Sequence, residues 1–267
     1  MASAASMSPA RRQQAATVGP AATPVLLVAL AAIVAAWILV LLAQLTGAPG
    51  ALHHHELIEG DLPLWVAVPI FVLAWQVMIA AMMLPSSLPT LRVFGRSLPA
   101  GGGRALGGFL VAYAGVWTLF GLAAFAGDVA LHRVVETFSW LEARPWLLEA
   151  SALGLAGAYQ FSALKRRGLA ACRHPAGPAL PDASRWGAAR HGLRHGLECV
   201  AGSWALMLLM FAVGVANPWW MAALTAVMAY EAMGRHGPRA ASVIGITLLG
   251  LACLAVVSGG AIGFEGR

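Results

Sequence analysis

Sulfur and imidazole gather in a few short stretches of this chain. The run LAWQVMIAAMMLPSSLPTLR, residues 73–92, carries Met78, Met82 and Met83 among apolar neighbours. A later run, ECVAGSWALMLLMFAVGV, opens with Glu198 and Cys199 and holds Met207 and Met210 near its middle. Thioethers and thiolates are soft donors that suit Cu(I) better than Mg²⁺ or Ca²⁺. Trp75, Met78 and Met82 fall at i, i+3 and i+7, which is one face of a helix. Methionine also fills irregular gaps in apolar cores, so packing competes as an account of the same stripe. Cys172 and His174, in CRHP at residues 172–175, offer one more thiol and imidazole. Trp75-x-x-Met78 is echoed by Trp204-x-x-Met207, a faint trace of inverted halves.

A second donor set lies in HHHELIEGD, residues 53–61. His53, His54, His55 and Glu56, with Glu59 and Asp61 nearby, combine nitrogen and carboxylate donors. Such donors suit Cu(II), Zn²⁺ or Ni²⁺. Consecutive histidines point in different directions, so they cannot build a tetrahedral cage unaided. His132 and Glu136, at i and i+4, would add two ligands on a helical face. A solvated acidic loop is the alternative. The chain has no Gly-x-Ser-x-Gly elbow, no phosphate loop, no dinucleotide fingerprint and no His-Glu-x-x-His. The Gly-rich PAGGGRALGG, residues 99–108, lacks the Lys-Ser/Thr that a phosphate loop needs. An enzyme is therefore not indicated.

The elements that position these residues follow from composition. Of the 267 residues, 60% are hydrophobic and 10% charged. Soluble domains carry about 25% charged residues. The deficit predicts an all-α, polytopic transmembrane helix bundle. A bilayer core of roughly 30 Å takes about 20 apolar residues. Seven segments meet that demand, at about 24–46, 64–84, 106–127, 146–164, 197–216, 218–234 and 240–262. Residues 1–23 form an Ala/Ser-rich, disordered cytoplasmic N-terminus, 24–262 the membrane domain, and 263–267 a short tail. Lys and Arg outnumber Asp and Glu by 17 to 11, but most of the excess sits in short loops. That distribution is a topology signal, not a nucleic-acid footprint. Basic and non-basic loops alternate, which predicts N-terminus inside and C-terminus outside. Three cysteines are too few for a disulfide framework.

This topology gathers polar residues at one depth near the cytoplasmic face: Gln160, Lys165, Glu198 and Glu231, with the Met and Cys residues close by. Ionisable groups at membrane depth cost about 2.5–3.5 kcal/mol each on insertion scales, so they face partners. Lys165 is the expected counter-charge for Glu198 and Glu231. An interhelical ion pair and a functional site are equally compatible with this set.

The blocks WQVMIAAMMLPSSLP, YQFSALKRRGLAACRHP and ECVAGSWALMLLMFAVGVANPWWMAALTAVMAYE resemble a bacterial family of predicted metal-binding integral membrane proteins, a domain-of-unknown-function family. The resemblance covers most of residues 65–235. By position it implicates Trp75, Met78, Met82, Met83, Pro85, Tyr159, Gln160, Lys165, Cys172, Arg173, Pro175, Cys199, Trp204, Met207, Met210, Asn217, Trp219, Met221 and Glu231. The chain departs from the family pattern at Gly168-Leu169 and Gly202-Ser203, where members often carry thiols, and at Ala232, where Lys is usual. The loss shifts weight from a thiolate-rich site toward thioethers.

The resulting expectation is a metal-handling protein of the bacterial cytoplasmic membrane. Copper is the favoured transition metal and zinc the alternative. Its partners are the lipid bilayer and a periplasmic metal donor or a membrane complex. The competing functions are a small proton-coupled secondary transporter and a non-catalytic subunit of a membrane complex.

Overall fold

A computed structural model describes residues 22–46, 63–98, 102–173, 184–213 and 217–259. Among these residues the chain is helical, with no strand. The helices are α1 (Ala22–Leu45), α2 (Leu64–Ser97), α3 (Gly103–Thr137), the single turn α4 (Ser139–Glu142), α5 (Trp146–Tyr159), α6 (Ala163–Arg173), α7 (Arg185–Val213), α8 (Pro218–Met233) and α9 (Gly237–Ser258).

Four of them are long and apolar enough to cross a membrane: Thr23–Leu45, Trp65–Ser97, Gly103–Thr137 and Gly237–Ser258. The expected seven uniform spans are thus met only in part. The segment expected to span at 146–164 is broken at Gln160–Ser162 into α5 and α6. The segment 85–105, expected as a loop, is helical as far as Ser97. Pro85 does not end α2 because its lost bond is replaced. A proline has no N–H for the carbonyl four residues back. That carbonyl, Ala81 O, accepts instead from Trp37 Nε1 of α1 at 3.2 Å. One turn on, the Ser86 and Ser87 hydroxyls donate to Met83 O at 2.8 and 3.0 Å.

Side-chain contacts fix the relative sense of the helices. α2 and α3 are antiparallel: Phe71 meets Phe125 at 4.6 Å and Phe94 meets Phe109 at 4.7 Å. α7 lies along α3 with the same sense, because Gly192 abuts Phe109 and Gly196 abuts Val116. α6 runs antiparallel to α7, with Gly168 against Gly202. α5 packs against α9, where Gly157 admits Leu249 and Gly154 faces Ala252. α8 starts at a defined cap: Asn217 Oδ1 accepts from the N–H groups of Trp219 and Trp220, and Pro218 fills the first position. The core lies where α2, α3, α7 and α8 meet. α1 turns Leu27, Leu30, Val34, Ile38, Leu41 and Leu45 outward, an apolar exterior suited to lipid.

Candidate metal centre

The short helix α6 builds the site. Its inward residues are Lys165, Gly168, Leu169 and Cys172, at i, i+3, i+4 and i+7. This is the buried stripe of a helix lying flat on its neighbours. A Cβ on Gly168 would stand 2.6 Å from Gly202 N and 2.8 Å from Glu198 O. Only glycine lets α6 come this close to α7. The crossing carries Cys172, one turn further along, into the neighbourhood of Cys199. Both are free cysteines and both are buried. The Cys172 thiol is pushed above its ordinary range by the neighbouring Cys199 and by burial.

A polar network surrounds Cys199. Tyr113 Oη lies 3.5 Å from Cys199 Sγ and 3.2 Å from Ser87 Oγ. Ser87 Oγ lies 3.0 Å from His195 Nε2. The His195 ring stacks on Tyr113, with centroids 5.5 Å apart and planes 19° from parallel. Burial pushes the His195 imidazole down to about 4, and His191 one turn away adds to the shift. It is therefore neutral near pH 7. Ser203, one turn beyond Cys199 on α7, donates to the Cys199 backbone carbonyl at 2.8 Å and brings its hydroxyl to 3.6 Å from Met83 Sδ of α2.

The methionines pack inside the bundle. Met82, Met83, Met207 and Met210 are each 0% exposed. Met78, Met221 and Met228 are buried as well. The described structure thus places Met78, Met82, Met83, Cys199, Met207 and Met210 in one continuous core. Cys172, on the edge of that core, joins it through Cys199.

A second buried feature sits on the same face of α6. Lys165 Nζ donates to Glu231 Oε2 at 2.5 Å. The Gln160 side chain lies beside the Glu231 carboxylate. Its amide nitrogen and oxygen, and Glu231 Oε1, are buried with no hydrogen-bond partner among the described residues. Arg173 completes the junction by donating from Nη1 to Glu231 O and Gly234 O, at 2.9 and 2.7 Å. A cation there satisfies the last carbonyls of α8 and opposes the negative end of its dipole.

Other expected residues fall elsewhere. Glu198 turns away from Lys165 and pairs with Arg194 at 2.8 Å on a partly exposed surface. His132 Nδ1 lies 3.0 Å from Asp128 O within α3, and Glu136 is exposed, so the two do not converge. His53, His54, His55 and Glu56 lie outside the described residues, as do Glu59, Asp61, His174 and Pro175. Ser87, Tyr113 and His195 were not anticipated as site residues. A signal for His195 existed, because it stands one helical turn before Cys199.

Among the described residues, no three His, Cys, Asp or Glu side chains gather to hold a metal ion. A soft-metal site here must take its third donor from methionine. The two thiols, with Met83 of the same buried core as the thioether next to Ser203, are the donors of that kind nearest to hand, and thiolate with thioether matches Cu(I). No curated protein and no solved structure matches the chain. A family model named PpoB2, described as copper chaperone, matches residues 72–255, more than two thirds of the chain and every residue of this site. The chain belongs to the PpoB2 family of copper chaperones.

Proposed function

We propose that this protein is a membrane-embedded Cu(I) chaperone whose cargo site is the Cys172–Cys199 pair with Met83 as third donor. One observation carries the reading: two free, buried cysteines are neighbours where the glycine crossing brings α6 onto α7. The family description supports copper as the cargo. Copper here is a passenger that the protein takes up and hands on. The ligand chemistry follows from softness. Thiols must lose their protons to bind, so loading releases protons and tightens as pH rises. Tyr113, Ser87 and Ser203 orient the Cys199 end and keep the polar atoms of the site paired. The apolar helices α1, α2, α3 and α9 hold the site in the bilayer. The nitrogen and carboxylate donors of His53, His54, His55 and Glu56 suit capture of copper from a donor outside.

The test is copper analysis of protein purified in detergent and loaded under reducing conditions. We expect close to one Cu(I) per chain, with sulfur-only ligation by X-ray absorption. Cys172→Ser and Cys199→Ser should each lower the affinity by on the order of a hundredfold or more, since each removes an anionic soft ligand. Wild-type protein that retains no copper above background would sink the proposal.

A further inference from the structure

The terminal site uses one methionine, yet seven are buried in the described core: Met78, Met82 and Met83 on α2, Met207 and Met210 on α7, and Met221 and Met228 on α8. Met1 and Met7 lie outside the described residues, and Met233 is exposed. The buried seven are not confined to the level of the thiols. Along α7, Met210 stands eleven residues beyond Cys199, a rise of about 16 Å. α8 runs the other way. Its Met221 lies in the first turn, and its far end reaches the Lys165–Glu231 pair beside the thiol level. Met228 is two turns from Met221 on the same face, so α8 presents thioethers from its first turn toward its last. α2 presents Met78, Met82 and Met83 over a rise of about 7 Å, ending at Ser203, one turn from Cys199. Three helices thus contribute methionines to one shared buried core.

We propose that these buried methionines form a thioether column along which Cu(I) moves through the membrane domain, from the Met221 end to the Cys172–Cys199 pair. The inference rests on the copper reading above and adds transfer across the bilayer to it. Packing uses methionine as an adaptable gap-filler, and leucine comes close to it in volume. A thioether adds a neutral soft donor, which holds a monovalent soft cation weakly enough to let it go to the next one. A thiolate is anionic and binds Cu(I) more tightly. Transfer therefore runs downhill from thioethers to thiols. A bare ion crossing hydrocarbon pays a large desolvation cost, which a succession of sulfur contacts offsets.

The experiment uses the full chain in proteoliposomes that enclose a membrane-impermeant Cu(I) chelator, with Cu(I) supplied outside as a weak complex. Wild-type protein should fill the chelator at least tenfold faster than empty vesicles. Met207→Leu with Met210→Leu keeps the buried volume close to wild type. It should slow filling by about tenfold or more, an added barrier of about 1.4 kcal/mol or more. Equilibrium Cu(I) binding in detergent is measured in parallel. Binding by wild type without faster filling overturns the column and leaves the terminal site standing. Filling unchanged by the double substitution also overturns it. No binding by wild type overturns the terminal site and the column with it.

Discussion

Lys165 and Glu231 are each 1% exposed, so each depends on the other for its charge to be tolerated. Two charges removed from water are tolerable only as a pair. We expect Lys165→Met or Glu231→Leu alone to cost about 3–5 kcal/mol, because each leaves an uncompensated buried charge. Combining the two should recover most of that loss. Thermal unfolding of the three variants in detergent checks this, and single variants as stable as wild type would refute it. His195 gives a separate prediction with a defined sign. Its folded value lies near 4 and its unfolded value near 6.5. Between those limits the unfolded chain binds more protons, so stability rises with pH and falls as pH drops from about 6.5 toward 4. His195→Asn should flatten that slope in unfolding experiments run from pH 7 to pH 5. An equal slope in both proteins would show that other groups set it. The Lys165–Glu231 pair was legible in the sequence, because two ionisable residues at one membrane depth have few alternatives. The Ser87–Tyr113–His195 network was not. Its members are individually ordinary, and only the crossing of α2, α3 and α7 brings them to Cys199.

At the scale of the element, α6 decides whether a cargo site exists. It is eleven residues long, too short to be stable alone in water. Its position comes from the Gly168 crossing with α7, the Lys165 bond to α8 and the Arg173 cap on the end of α8. The crossing is asymmetric. A Cβ on Gly168 runs into backbone atoms, whereas a Cβ on Gly202 would meet nothing nearer than 3.7 Å. Gly168→Ala should therefore push α6 off α7, separate the thiols and lower Cu(I) affinity by on the order of tenfold or more, with a loss of stability of about 1–3 kcal/mol. Gly202→Ala should be nearly silent in both measurements. Equal effects from the two substitutions would mean that the close approach is not what aligns the cysteines. The apolar runs gave away the longest helices, but the break between α5 and α6 was hidden in them. Tyr159, Gln160 and Phe161 look like the end of a span by composition. At that turn Tyr159 Oη donates to Ala201 O of α7, a contact that local pattern does not encode. Pro85 misled in the opposite direction, since Trp37 from another helix repairs the bond it breaks.

For the whole molecule, charge and helix sense point to one orientation. Phe94 against Phe109 and the Arg185 backbone beside Gly108 place the end of α2 and the starts of α3 and α7 at the same end of the bundle. That end carries Arg92, Arg96, Arg104, Arg185, Arg190 and Arg194. The end of α3 and the start of α5, at the other pole, mix Arg133 and Arg144 with Asp128, Glu136 and Glu149. Short segments rich in arginine stay in the cytoplasm. With that end in the cytoplasm, Cys172 and Cys199, toward the middle of α7, would be approached from a reducing compartment and stay available for metal. A phosphatase reporter that is active only outside the cytoplasm, fused after Thr137, should be active, and the same reporter fused after Gly234 should be silent. The reverse pattern would put the thiols on the oxidising face, where a disulfide would compete with Cu(I) for the same two sulfurs and delivery would have to run outward. Orientation therefore decides the direction of copper handling as well as the address of the site, because downhill transfer always ends at the cysteines.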